Sequence, residues 1–339
     1  MLALLSEEQE LLAMTIRSMR SVVGVSGPRD LDDFDHRRAW DSLVEAGLLG
    51  LRLRSDDAPL GSGVDAMIVA RGLGEMLCPA PFVPALLATE LLLLGGEAGE
   101  LAEAVAAGDM TAAVLLRRDL GGLATADDLD GAVRWGDGEV GLCIGSPGTL
   151  ARVALSPIER HGSTGDMLFP LDSLPPEGAV ERSGRIDASD HDRWMSLAIS
   201  LVCADALGSM RAAVDGAIEY SKTRVAFGVP IGSFQAIQHM CADAVVVCEA
   251  ADAAISYAAW AADELDAPDA RLAASTAKAW LGYTGREVTE IVMQVFGGVG
   301  QTWEHPAHLY TRRVIAGSSL LGDADGHLDH VYDARVRQY

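Results

Sequence analysis

Four long runs with apolar residues at helical spacing occupy the chain from about residue 191 onward, and few folds can use them. Three of them, 194–223, 235–265 and 269–296, are each about twice the length of an ordinary globular helix. A fourth covers 306–319, with a tail reaching 336. Helices of this length joined by short connections bury their stripes against one another as a four-helix bundle. Alanine-rich faces such as Ala250-Ala-Asp-Ala-Ala254 let such helices pack closely. Two polar, glycine-bearing stretches part the runs: Arg224-Val-Ala-Phe-Gly-Val-Pro-Ile-Gly-Ser-Phe-Gln235 and Gln294-Val-Phe-Gly-Gly-Val-Gly300. Each reads as a helix junction where backbone and side chains can meet a ligand.

Ahead of the bundle the pattern is first helical, then extended. Ser6 followed by Glu7, Glu8 and Gln9 predicts an N-cap and an acidic first turn, opening an amphipathic helix to about residue 23. Trp40, Leu43, Val44 and Leu48 recur at helical spacing over 37–49, with Gly47 and Gly50 marking the end. Further helices are expected at 64–77, broken by Cys78-Pro79-Ala-Pro81, then at 84–94 and 99–107. From residue 110 short apolar or alternating runs replace them, at 111–116, 131–135, 140–144, 151–155 and 166–169, the signature of strands. Trp135-Gly-Asp-Gly138 reads as a hairpin turn among them. The chain therefore divides into a helical unit (1–109), a small β-domain (110–183) and the bundle (184–339), an α+β architecture.

Composition narrows the function. At 339 residues and 49% hydrophobic content the chain can bury a sizeable core as a soluble globular protein. Its net charge of −23, from 26 basic and 49 acidic residues, argues against nucleic-acid and anionic-membrane partners. Cys78, Cys143, Cys203, Cys241 and Cys248 are odd in number, widely spaced and free of any Cys-x-x-Cys pattern, so they read as free thiols in a reducing cytoplasm. The N-terminus lacks the basic start of a signal peptide, and the most apolar segment, 85–95, is too short to span a bilayer. His305, His308 and His327 are spaced wrongly for a metal triad, and no metal site is expected.

The two interrupting stretches, read as Arg-x-x-Phe-Gly-x-Pro-Ile-x-x-Phe-Gln and Gln-x-Phe-Gly-Gly-x-Gly, resemble the C-terminal domain of the acyl-CoA dehydrogenases. That resemblance implies a helical N-terminal domain, a middle β-domain and a C-terminal four-helix bundle. It also implies FAD as cofactor, bound by Arg224, Phe227, Gln235, Gln294, Gly297 and Gly298 on behalf of a neighbouring subunit. The chemistry suits the assignment. An arginine fork pairs with a pyrophosphate, Phe and Gln hold adenosine and ribose, and paired glycines let backbone amides approach phosphate. His239, one turn after Gln235, either faces the same ligand or packs inside the bundle. An anionic CoA ester would need a basic patch against the overall field, for which Arg117-Arg118 and Arg312-Arg313 are the candidates.

The sequence departs from the family at two places. Where relatives carry a Thr-Glu-Pro type motif that helps hold the flavin ring, this chain has Leu116-Arg117-Arg118-Asp119-Leu-Gly-Gly122, and its β-domain is shorter than usual. The family takes the α-proton with a glutamate, whose two known positions match Leu320-Leu321-Gly322-Asp323 and the neighbourhood of Ala198; neither holds a carboxylate at the matching place. Asp323, Glu304 and Asp205 lie near enough to be weighed as bases. Their other readings are a cap or turn residue, a structural residue and an interhelical polar group respectively. No catalytic residue is therefore assigned to this chain. The resemblance is to the short subunit of the heteromeric α2β2 acyl-CoA dehydrogenases of actinobacteria, several of which act on CoA esters of steroid side chains. It implies a full-length partner subunit that supplies the glutamate. Two other readings stand beside it: a scaffold subunit that binds no FAD, and a self-contained homotetrameric enzyme with an unusual base.

Overall fold

Ser6 accepts the backbone N–H of Gln9 while the Gln9 side chain accepts that of Ser6, the reciprocal cap expected from the spacing. The helix it opens, α1 (Glu7–Ser18), stops at Met19 and resumes as α2 (Arg20–Val23). In this computed structural model the residues described are 5–56, 58–96, 100–145, 148–156, 171–173 and 180–336. A proline-led turn, α3 (Pro28–Asp32), precedes α4 (His36–Glu45), and the strand pair β1 (Arg54–Ser55) and β2 (Ala58–Pro59) follows. Then come α5 (Gly63–Glu75), α6 (Phe82–Leu94) and α7 (Glu100–Ala106).

The sheet comprises β3 (Ala112–Leu116), β4 (Val133–Trp135), β5 (Val140–Gly145), β6 (Thr149–Ala154), β7 (Leu171–Ser173) and β8 (Val180–Ser183), in the order β7-β4-β3-β5-β6-β8. The expected hairpin at 135–138 is not one. β3 lies between β4 and β5, antiparallel to the first and parallel to the second, so Gly136 and Gly138 belong to a crossing connection. All five residues of β3 are buried, which is what a central strand covered on both faces requires. The strand expected at 166–169 lies outside the described residues, and β7 and β8 were not anticipated.

α8 (Ala188–Thr223), 36 residues long, is the axis of the molecule. Every residue from Trp194 to Met210 is buried, because α5, α6, α9, α10 and α11 surround it. After α8 come the short strands β9 (Val225–Ala226) and β10 (Val229–Pro230). The remaining helices are α9 (Gln235–Glu264), α10 (Ala267–Phe296), α11 (Ala307–Ser319) and α12 (Ala324–Val336). The expected fourth run is thus two helices. Leu320 to Asp323 turns the chain so that α11 packs on α8 and α10 while α12 packs on α10 alone among its main contacts. Both α8 and α9 are long and apolar enough to cross a bilayer, but the apolar residues of α8 form the core.

Where α5 crosses α8 the backbones touch. A Cβ on Gly208 would lie 1.9 Å from the Arg71 carbonyl oxygen, and one on Gly74 would lie 2.0 Å from that of Asp205, so only glycine permits this crossing. Buried ion pairs tie the layers together. Arg52 donates to Glu90 on α6 (3.0 and 3.3 Å) and to Asp263 on α9 (2.9 and 3.2 Å). Arg313 donates to Asp205 (2.7 and 2.8 Å) and to the Cys78 carbonyl (2.8 Å). Arg313 therefore cannot serve as a surface patch for an anionic ligand, because it is 3% exposed and its fork is spent inside the fold.

Candidate functional site

Arg224 ends α8. Its backbone is extended (φ −71°, ψ 122°), its N–H still donates to the Tyr220 carbonyl (2.8 Å), and its side chain is exposed. The chain then reverses in a two-residue turn whose central residues, Phe227 and Gly228, have φ of 54° and 82°. Glycine adopts that backbone freely, whereas a phenylalanine there costs on the order of 1–3 kcal/mol. The Phe227 ring is 97% exposed, with one edge-on contact to Phe234 at 6.3 Å between centroids. A bulky apolar side chain in a strained backbone and almost wholly in water has no packing purpose within this chain.

Gln235 is the first residue of α9, which has no side-chain cap at its N-terminus. Its opening turn presents backbone N–H groups and the positive end of a 30-residue helix toward solvent, a setting suited to an anion. His239 is exposed one turn further on and is not packed inside the bundle. Among the described residues no carboxylate forms an ion pair with Arg224.

The second stretch lies where α10 ends. Gln294 is exposed, and Gly297 caps the helix at φ 62°, ψ −144°, a backbone essentially confined to glycine. Gly298 has no such reason: its φ is ordinary, and a Cβ there would meet nothing within 4 Å. Within the chain its lack of a side chain leaves the backbone bare to solvent. The two stretches meet through α8. The Phe296 ring lies 5.1 Å from that of Tyr220, whose carbonyl takes the Arg224 N–H. All six predicted residues thus sit on two neighbouring junctions at one end of the bundle, and all but the half-buried Gly297 are exposed.

One feature of this end escaped sequence reasoning. Ile218 and Lys222 of α8, Pro230 of the hairpin and Ile237, Cys241 and Val245 of α9 line an apolar groove of about 730 Å³. The spacing Ile237, Cys241, Val245 signals an apolar stripe, but only the fold shows that part of it faces an open groove instead of core.

Of the places where a catalytic carboxylate was sought, Ala198, Leu320, Leu321 and Asp205 are buried, whereas Asp323 and Glu304 are exposed. Ala198 is buried in α8. Leu320 and Leu321 turn inward, 1% and 0% exposed, and Leu321 is held at φ 63°. Lys278, wholly buried, donates to the carbonyls of Gly317 and Leu320, the latter at 2.6 Å; burial drives its pKa down to about 8. Asp323 accepts the Gly326 N–H at 2.9 Å as a cap of α12, and Asp205 is consumed by Arg313. Glu304 is exposed in the turn before α11. At the other departure, Asp119 accepts the Gly121 N–H (2.8 Å) and an Arg117 bond (3.1 Å), and the Arg117 N–H donates to the Gly122 carbonyl (2.9 Å). Residues 117–122 are thus a turn satisfied by its own groups.

His327 completes the clamp on the loop after α11. Its Nε2 donates to the Leu321 carbonyl (2.9 Å), its Nδ1 accepts from Ser275 (3.2 Å), and burial, helped by Arg271 and Lys278, lowers its pKa to about 4. Between pH 4 and 6.5 the unfolded chain binds a proton here that the folded one refuses, so stability is full above 6.5 and falls with acid. We expect about 1.5 kcal/mol to be lost from this group between pH 6.5 and 5. Urea unfolding across that range checks it: His327→Gln should give a shallower pH dependence than the parent chain, and an unchanged slope would refute the assignment.

Comparison with known proteins follows the same outline. The family described as "Acyl-CoA dehydrogenase, C-terminal domain" matches residues 199–334. Acyl-CoA dehydrogenase IpdE2 of Mycobacterium tuberculosis is 31% identical over 326 residues, covering 93% of each chain. Acyl-CoA dehydrogenase FadE34 of the same organism is 30% identical over 308 residues; the match covers 87% of this chain but 42% of that longer protein. Among solved structures, the Tcur3481-Tcur3483 steroid ACAD G363A variant superposes with a TM-score of 0.80 at 25% identity, covering 98% of both chains. The ChsE4-ChsE5 complex from Mycobacterium tuberculosis shares the fold, with a TM-score of 0.81 at 23% identity over 99% of both chains.

Proposed function

The chain belongs to the acyl-CoA dehydrogenase family, and on that premise we propose that it is the short subunit of a heteromeric, FAD-dependent acyl-CoA dehydrogenase. On this reading residues 184–339 are the flavin-facing unit, 110–183 a reduced β-domain and 1–109 the helical N-terminal domain. One observation carries it: the strained, 97% exposed Phe227 beside an exposed Arg224. Such residues are presented to something outside this chain.

When bound, FAD would supply the acceptor for the hydride of the substrate β-carbon, and a base would be needed for the α-proton. The groups at this end of the bundle suit the nucleotide half of that cofactor and not its ring. Arg224 would pair with the diphosphate, and the opening amides of α9 would add donors. Gln235 and Gln294 would hydrogen-bond the nucleotide, Phe227 would cover it, and the bare backbone at Gly297 and Gly298 would allow close approach. The loop of Leu320 and Leu321 and the self-satisfied turn at 117–122 offer nothing to a flavin ring or an α-proton. A full-length dehydrogenase subunit would supply those contacts and the catalytic glutamate. The likeness to a steroid dehydrogenase complex supports a CoA ester of a bulky, steroid-derived acyl group as substrate.

Expression with and without such a partner tests this. The chain alone should be colourless and inactive. Co-expressed with a full-length family member that associates with it, it should give a yellow complex holding about one FAD per pair of unlike chains. A flavin-loaded, active homomer would overturn the proposal, and a flavin-free complex would make the chain a scaffold.

A further inference from the structure

Of the six tryptophans, Trp280 and Trp303 alone are exposed, at 41% and 53%, and only the second stands at the end of the bundle that carries Arg224. Trp280 lies fourteen residues before Gln294, about 21 Å along α10. Trp303 follows the bare backbone of Gly298 by five residues, in the turn that leads into α11. Three rings in series join that turn to the end of α8: His305 lies 4.3 Å from Phe296, and Phe296 lies 5.1 Å from Tyr220, whose carbonyl takes the Arg224 N–H (2.8 Å).

The turn holds the indole in place. Thr302 directs both its backbone N–H (3.1 Å) and its hydroxyl (2.9 Å) to the Val299 carbonyl, and the His305 N–H donates to the Thr302 carbonyl (3.2 Å). The Trp303 ring is stacked on that of His308, with 5.1 Å between centroids and 22° between planes. His308 Nε2 donates to the Trp303 carbonyl (3.0 Å), which ties the imidazole to the residue it supports and leaves its Nδ1 buried without a hydrogen-bond partner among the described residues. An unpaired buried acceptor costs stability, and here it accompanies a flat backing for the indole. With one face on His308 and more than half of the residue in water, the opposite face of Trp303 is open. A fixed aromatic ring with one open face, next to bare backbone, suits a planar ligand.

We propose, on the basis of the heteromeric FAD-binding reading, that the open face of Trp303 is the surface on which the adenine ring of the shared FAD stacks. A dinucleotide held by its diphosphate at Arg224 carries an aromatic base one ribose away, and that base needs a flat apolar surface of its own. Phe227 stands on an exposed hairpin with one edge-on ring contact, whereas Trp303 is backed face to face by a second ring. The tryptophan is therefore the pre-organised surface of the two, and less ordering is lost when a base settles on it. Trp303 thereby favours FAD over a flavin that lacks the adenosine.

Complexes of the full chain with its full-length dehydrogenase partner, stripped of flavin and titrated with FAD or FMN, test the stacking. Trp303→Ala should bind FAD about 5- to 150-fold more weakly than the parent complex, and Trp303→Phe should recover part of the loss. FMN, which has no adenosine, should bind the parent and variant complexes alike, whereas damage to the fold or to assembly would weaken both flavins together. Undiminished FAD affinity in Trp303→Ala, or an equal fall for FMN, would overturn the proposal. So would unchanged FAD affinity with a raised KM for the CoA ester, which would give the ring to the adenine of the substrate. A parent complex that takes up no FAD would overturn the functional reading and this inference with it, so the parent titration tells the two failures apart.

Discussion

Asp205→Ala should cost the fold about 3–5 kcal/mol, the range seen when one partner of a buried ion pair is removed. The carboxylate is 2% exposed and takes two bonds from Arg313, at 2.7 and 2.8 Å, while Arg313 is fixed further by the Cys78 carbonyl. Removing Asp205 takes the carboxylate and both of its hydrogen bonds from a guanidinium in the core between α8 and α11. Desolvation of an unpaired charge, more than the lost attraction, sets the size of the effect. Asp205→Leu combined with Arg313→Met should be far milder, because neither charge then remains buried. Urea denaturation of the single and double variants, with m compared to confirm a common transition, measures both. A stable Asp205→Ala variant whose complex had lost activity would instead make Asp205 a catalytic residue.

Arg224→Ala should leave the fold intact and weaken FAD retention in the heteromeric complex by roughly 10- to 150-fold, the equivalent of about 1.5–3 kcal/mol for a hydrogen bond between charged groups. The side chain is exposed at the very end of α8, so the chain loses no packing when it is shortened. Arg224→Lys should recover part of the affinity, since an ammonium keeps the charge but not the planar fork. Bound flavin is read by absorbance after gel filtration, together with the size of the complex. A correctly sized Arg224→Ala complex with undiminished flavin would mean that the cofactor lies elsewhere. Loss of assembly before loss of flavin would make Arg224 an interface residue only.

The candidate site was legible in part because its signals are local. Arg224, Phe227 and Gln235 fall within twelve consecutive positions, as do Gln294, Gly297 and Gly298 within five, so one motif each was enough to mark them. The strain at Phe227 was not legible, since no property of phenylalanine announces a positive φ. Nor was the groove beside the hairpin, which needs α8 and α9 placed together. Arg313 was misread as a surface candidate because its partner stands 108 residues away on another helix.

By itself the sequence determined the long helices, the Ser6 cap, the four strands β3 to β6 and the family motifs. These depend on contacts within a turn or two of helix: apolar spacing of 3.6, the reciprocal bonds of Ser6 and Gln9, prolines after Cys78. Tertiary structure alone decided what depends on neighbours distant in the chain. It placed β3 between β4 and β5 and so removed a hairpin that the local Gly-Asp-Gly pattern favoured, because five fully buried residues belong at the centre of the sheet. It also split the last run at Leu320 to Asp323, where Lys278 and His327 bond carbonyls that a continuous helix would have used. And it turned Asp205 from a possible base into the buried anchor of Arg313, since a charge inside a bundle survives only where another element brings its counterpart.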